Sequence, residues 1–222
     1  MINTKAKGAS TPVHNLLQFR LLQQALAEEK LDINSYDVYV DHRLGTVSLN
    51  GKKIGLRYPK IYLEKIKNLS SDKIYDFCFI GHFESFGREE LLQPFTEKNS
   101  IIKHSVVGRT EKKFMFDKEY YSTICSTKYS LVPNHIGKKA KKWQHDDAWS
   151  YRFIETLFCK SIPVLFRQTP LGKNFIKDFK FVWNDSTFNI SDKEYNQIVN
   201  YNYNLAVNTF TINNADLEKL RI

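Results

Sequence analysis

No run of about 20 apolar residues occurs anywhere in the 222-residue chain, so no segment has the make-up of a membrane-spanning helix. Residues 1–30, MINTKAKGASTPVHNLLQFRLLQQALAEEK, contain no uninterrupted apolar stretch of the signal-peptide kind, and the expected location is cytoplasmic. Cysteine is scarce: Cys78, Cys125 and Cys159 have no short spacing, which excludes a disulfide framework and a zinc site and predicts buried, reduced thiols. The familiar phosphate loops, G-x-G-x-x-G and G-x-x-x-x-G-K-[ST], are missing. No G-x-S-x-G elbow occurs, which argues against an α/β-hydrolase, and no Asp-x-Asp triplet, which removes the simplest two-carboxylate grip on a metal-bound nucleotide sugar. Negative charge is short as well: 24 Asp and Glu against 33 Lys and Arg give a net charge of +9.

What the chain holds in quantity is apolar and aromatic. Hydrophobic residues make up 42% and aromatics 14%, with 16 Phe and 12 Tyr, which excludes a disordered chain and predicts an aromatic-rich core. The length suits one sizeable domain, or one and a half. The basic surplus favours an anionic partner: phosphate groups, nucleic acid or an anionic membrane surface.

From Val13 to about Glu29 apolar residues recur near helical spacing and predict an amphipathic helix. YDVYV (36–40) and TVSLNGKKIGL (46–56) predict strands, the second folding back at Asn50-Gly51, a strong hairpin signal. YPKIYLEKIKNLSSDK predicts a short helix and a polar linker at Ser70–Lys73. From Tyr75 the rhythm changes. YDFCFIG, SIIKHSVVG, YSLVP (129–133) and IPVLF (162–166) read as buried strands, separated by helices over REELLQPFTE, DKEYYSTICSTK and AWSYRFIETLFCK. LGKNFIKDF, FKFVW and SDKEYNQIVNYNYNLAVNTF add a short helix, a further strand and a closing helix. Such alternation predicts an α/β fold, a Rossmann-like parallel sheet flanked by helices. The expected division is 1–73, a small helix-plus-hairpin part, and 74–222, the sheet domain with its C-terminal helix.

Open parallel sheets bind ligands beyond the carboxyl ends of their strands. Three loops leave such ends: Gly81–Arg88, Pro133–Asp147 and Arg167–Lys173. The first, GHFESFGR, brings Arg88 to a helix start; the second carries Asn134, His135 and the lysines Lys138, Lys139, Lys141 and Lys142. Backbone N–H groups and cations gathered on one rim suit phosphate, although the lysine loop alone reads equally well as a solvated one. Asp146 and Asp147, with His145, have the residue types of a metal site, but a helix N-cap suits them better. Arg152 and Glu155 stand three apart on one helix face. They form either a surface ion pair or a ligand site, in which Arg152 meets a diphosphate beside the helix N-terminus and Glu155 accepts ribose hydroxyls.

The order of these features resembles the exostosin-like family of glycosyltransferases, which have a GT-B architecture. The resemblance rests on YSLVPNH (129–135), SYRFIETL (150–157) and IPVLF (162–166), with FIGHFESFGREELL and FDKEYYSTICSTKYSLVP as weaker flanks. It covers roughly residues 74–170. It implies a GT-B-type donor domain and an inverting transfer of a sugar from a nucleotide-diphosphate donor to a glycan or lipid-linked saccharide acceptor, with no cofactor and no metal. Carried over by position, Arg152 contacts the donor diphosphate, Glu155 the nucleotide ribose, and Arg88 and Ser150 add contacts to phosphate. Gly81, Pro133 and Asn134, at the strand ends, belong to the same donor rim. The general base is sought among Asp146, Asp147 and His82, ahead of Glu84 and His135. The family has glycine where this chain has Lys160, which strains the turn if it needs a positive φ. Residues 1–73 are too few for a complete acceptor-side domain, so the acceptor half is either reduced or supplied by a partner. A peripheral membrane contact fits the charge. Two other classes fit part of the pattern: a basic nucleic-acid-binding module, which lacks any recognised binding signature so that nucleic acid is not the expected partner, and an inactive accessory subunit of a glycosyltransferase.

Overall fold

A computed structural model describes residues 12–41, 45–82, 87–104, 116–134 and 148–220, with side chains from Leu16 onward. These residues group into two compact units. One is built from the chain up to Lys65, Phe116 and the segment from Val207; the other from Ile66 up to Ala206, apart from that insertion.

The first unit begins with α1 (Pro12–Glu28), where proline stands in the first turn, the one place that does not need its missing N–H. Leu17, Leu21, Leu22, Ala25 and Leu26 are buried, as the spacing predicts. The helix ends in a Schellman motif: Leu31 N donates to Leu26 O at 2.9 Å and Lys30 N to Ala27 O at 3.0 Å, with Lys30 at φ 59°. Three antiparallel strands follow, β1 (Val38–Asp41), β2 (Thr46–Leu49) and β3 (Lys52–Lys53). Asn50 and Gly51 have φ of 50° and 75°, the two left-handed residues of a tight hairpin turn. Val38, Val40, Val47 and Leu49 alternate onto the face that packs with Leu22, Leu26, Ile54 and Ile212. Within the short helix α2 (Lys60–Lys67), after Lys65, the chain leaves this unit, which closes with the end of the last long helix and α8 (Asn214–Leu220). Sequence periodicity misses α8. Its start is fixed by reciprocal caps, Asp216 N to Asn213 Oδ1 at 3.0 Å and Asn213 N to Asp216 Oδ2 at 3.2 Å. Arg57 then grips the buried Asp216 carboxylate with Nε at 2.7 Å and Nη2 at 2.8 Å.

The second unit is the α/β fold. β4 (Tyr75–Gly81), β5 (Ser100–His104), β6 (Thr127–Val132), β7 (Ile162–Leu165) and β8 (Val182–Trp183) form one parallel sheet in the order β5-β4-β6-β7-β8. Helices α3 (Arg88–Thr96), α4 (Lys118–Cys125), α5 (Tyr151–Phe158), α6 (Lys173–Ile176) and α7 (Asp192–Phe210) connect and follow the strands. One face of the sheet, Phe77, Phe79, Tyr129, Leu131, Ile162 and Val164, packs with Leu92 and Phe95 of α3 and Tyr195 and Val199 of α7. The other face is covered by α4 and α5. Strand order reverses between β4 and β6, the crevice where parallel sheets of this connectivity take their ligands.

Compared with the sequence reading, α5 starts at Tyr151 rather than Ala148, because Ser150 is extended at φ −148°. The segment from Val207 groups with the hairpin unit, held by Ile212 in its core and by Asp216.

Candidate functional site

β4 carries its buried run Phe77–Phe79 toward Gly81 and delivers the chain to the crevice. There the second residue of α5, Arg152, crosses the strand end. Its Nη2 donates to Ile80 O at 2.5 Å, and its guanidinium lies 4.2 Å over the Phe79 ring and 6.0 Å from the Tyr120 ring. A Cβ on Gly81 would stand 2.5 Å from Arg152 Nη2 and 3.2 Å from Phe79 Cζ, so glycine is what leaves room for the arginine. Arg152 is thus held by a carbonyl and two aromatic rings, and among the described residues no carboxylate pairs with it.

Arg88 opens α3 at the same strand end, behind Gly87 in the left-handed region at φ 61°. Its Nη1 donates to His82 O at 2.8 Å. Burial, and then the positive charge of Arg152, push its pKa down to about 10, which still leaves it charged at neutral pH. Two guanidiniums therefore repel each other at the mouth of β4, an arrangement that an anion between them would relieve. The positive end of the α5 dipole acts in the same sense.

His82 follows Gly81, and its ring meets that of His104 edge-on at 5.2 Å. His104, which the sequence reading passed over, is the last residue of β5 and pairs in register with Gly81. No sequence signal marked it, since the predicted strand SIIKHSVVG runs on past it.

Glu155 is not a surface residue. It is 0% exposed, with Oε2 accepting from Tyr120 Oη at 3.0 Å and Oε1 from Tyr121 Oη at 3.1 Å. Both tyrosines belong to the first turns of α4, and neither was singled out by sequence reasoning, since a pairing across two helices leaves no local pattern. The exposed ion pair weighed for Arg152 and Glu155 is therefore excluded by the burial of the carboxylate.

The other predicted residues sit nearby or cannot be placed. Ser150 is the N-cap of α5, without a side-chain cap bond. Pro133 is buried just after β6, and Asn134 N donates to Thr169 Oγ1 at 3.1 Å, which ties the β6 end to the loop after β7. Asp146 and Asp147, with His145, His135, Glu84 and the four lysines, lie outside the described residues. Among the described residues no group of three His, Cys, Asp or Glu could hold a metal ion. No described helix is long and apolar enough to cross a membrane. The cysteines are free and buried.

No family model matches this chain. No curated protein matches it either. Among solved structures, a chain of the crystal structure of the GtfA/B complex is similar over 68% of this chain and 35% of its own, at 11% identity and a TM-score of 0.34. This chain thus spans about a third of the length of that one.

Proposed function

We propose that the parallel-sheet unit binds a nucleotide-sugar donor and transfers its sugar, with inversion, to a glycan or lipid-linked saccharide acceptor. The observation that carries this reading is Arg152, a cation fixed at the strand-order reversal against Phe79 and Ile80 O with no carboxylate partner among the described residues. Arg152, Arg88 and the first turn of α5 would take the diphosphate, and Ser150 would add a hydroxyl or backbone contact. Glu155 would take the ribose hydroxyls, and Gly81, Pro133 and Asn134 would line the rim. Positive side chains and a helix end can stabilise the departing nucleoside diphosphate without a metal ion. In the reaction the acceptor oxygen bonds to the anomeric carbon as the bond to the diphosphate oxygen breaks. The acceptor proton passes to a base, for which His82, Asp146 and Asp147 are the candidates. The hairpin unit would serve the acceptor, alone or with a partner chain.

The test is a thermal-shift titration with nucleoside diphosphates in the presence of a chelator. At a hundred times Kd a ligand stabilises by about 2.7 kcal/mol, which for a chain of this size raises Tm by roughly 5–10 °C. Arg152→Ala is expected to abolish the shift; an unchanged shift removes Arg152 from the site.

A further inference from the structure

Burial of Glu155 poses a question that the donor reading alone does not answer. A carboxylate that is 0% exposed cannot meet a ligand hydroxyl until something above it moves. Tyr120 and Tyr121 both bond to it. Tyr121 is 3% exposed, and its backbone carbonyl also receives the Cys159 thiol at 3.9 Å, so it is enclosed on all sides. Tyr120 differs. It is half-buried in the first turn of α4, and the first turn of a helix that follows a parallel strand lies at the carboxyl rim of the sheet. Its backbone is fixed by the Asp117 cap, Tyr120 N to Asp117 Oδ1 at 3.1 Å, so any movement is confined to its side-chain torsions. The same ring stands 6.0 Å from the Arg152 guanidinium, which places it where a ligand held by Arg152 would arrive.

The geometry points to Tyr120 as a stand-in for the ligand: its hydroxyl holds Oε2 of Glu155 in the free protein and gives way to a ribose hydroxyl when a nucleotide binds. The inference rests on the donor-binding reading and adds to it a positioning residue and a source of selectivity. A donor is exchanged for a donor, so the buried carboxylate is never left without a hydrogen bond at Oε2, which would be costly. A nucleotide lacking ribose hydroxyls cannot make the exchange and leaves Tyr120 in place. Tyr120 therefore competes with ribonucleotides alone, and their apparent affinity is the intrinsic one multiplied by the fraction of protein in which the tyrosine is open.

The experiment compares UDP, GDP and ADP, each beside its 2′,3′-dideoxy form, by calorimetric titration of the wild type, Tyr120→Phe, Tyr121→Phe and Arg152→Ala. With the competing hydroxyl removed, Tyr120→Phe is expected to bind the best ribonucleotide about tenfold more tightly while its dideoxy form changes by less than about twofold. Tyr121→Phe, which removes a fixed support from Oε1, is expected to lower the preference for ribose instead. A merely structural tyrosine would move both ligands together. Equal changes for the two ligands in Tyr120→Phe, or weaker ribonucleotide binding, would overturn the inference while leaving the donor reading intact. Wild-type protein that binds neither form overturns the donor reading and this inference with it; binding that survives Arg152→Ala unchanged removes Arg152 from the site and overturns this inference.

Discussion

Gly81 and Arg152 define each other. The arginine can lie along the end of β4 only because residue 81 has no Cβ, and a Cβ there would sit 2.5 Å from Nη2. Gly81→Ala leaves two ways out: the guanidinium gives up Ile80 O, or the strand end shifts. The far end of a long side chain moves more cheaply than backbone, so the arginine is expected to move. Stability should then fall by only about 1 kcal/mol, the low end of overpacking costs. Nucleoside-diphosphate affinity should fall at least tenfold, because the cation is no longer where the diphosphate meets it. Denaturant unfolding and calorimetric titration of the one variant separate the two effects; unchanged affinity would mean that the position of Arg152 does not matter. At this scale the sequence was informative about one partner of each contact. Arg152 and Glu155 stand out because three-residue spacing on a helix face is a local pattern. Tyr120, Tyr121 and His104 do not, because their partners lie on other helices or strands, and register cannot be read from one segment.

At the scale of elements, α5 shows how a helix end is set by backbone geometry rather than by residue type. Ser161 N donates to Thr156 O at 3.1 Å and Lys160 N to Leu157 O at 3.2 Å, a Schellman end with Lys160 at φ 50°. The turn thus needs the positive φ that glycine supplies freely, and this chain makes it with lysine. Two contacts accompany the conformation: Lys160 O accepts from Tyr195 Oη at 2.8 Å, and Lys160 Nζ lies 5.1 Å from the Tyr203 ring. Lys160→Gly relieves a left-handed penalty of about 1 kcal/mol but adds unfolded-chain freedom of similar size, so its Tm should stay within a few degrees of wild type. Lys160→Val puts a β-branched residue at the same φ and should cost about 1–2 kcal/mol, read as a lower denaturation midpoint at constant m-value. Most elements were legible because period and turn chemistry agree: the alternating valines of β1 and β2, Asn50-Gly51, and the unbroken apolar run of β7. α8 was not, since its seven residues carry too short a pattern and its cap signal, Asn213 with Asp216, lies outside any apolar run.

For the whole molecule, the alternation of strands and helices was enough to predict a parallel sheet, whereas the grouping of the segment from Val207 with the hairpin unit was not. That grouping depends on Arg57 and Asp216, 159 positions apart, and no local rule reaches so far. Distance along the chain also hides a cluster beneath the sheet unit. Lys73 Nζ donates to Cys125 O at 2.6 Å and Cys159 O at 3.3 Å, so one amine caps the ends of both α4 and α5. Burial lowers the pKa of Lys73 from 10.5, and burial raises Cys78 from 9.0 and Cys159 well above 9.0. The signs oppose each other. Above pH 9 the unfolded chain has lost thiol protons that the folded chain keeps, so Cys78 and Cys159 withdraw stability as pH rises. Below pH 10.5 the unfolded chain keeps a lysine proton that the folded chain gives up sooner, so Lys73 adds stability as pH rises toward that value. Each net proton corresponds to a slope of about 1.4 kcal/mol per pH unit. In a Cys78→Ala, Cys159→Ala variant, less stable at every pH for lack of two core side chains, the slope of unfolding free energy from denaturant titrations between pH 9 and 10 should be shifted in the positive direction relative to wild type; a slope unchanged from wild type would exclude the buried thiols as contributors.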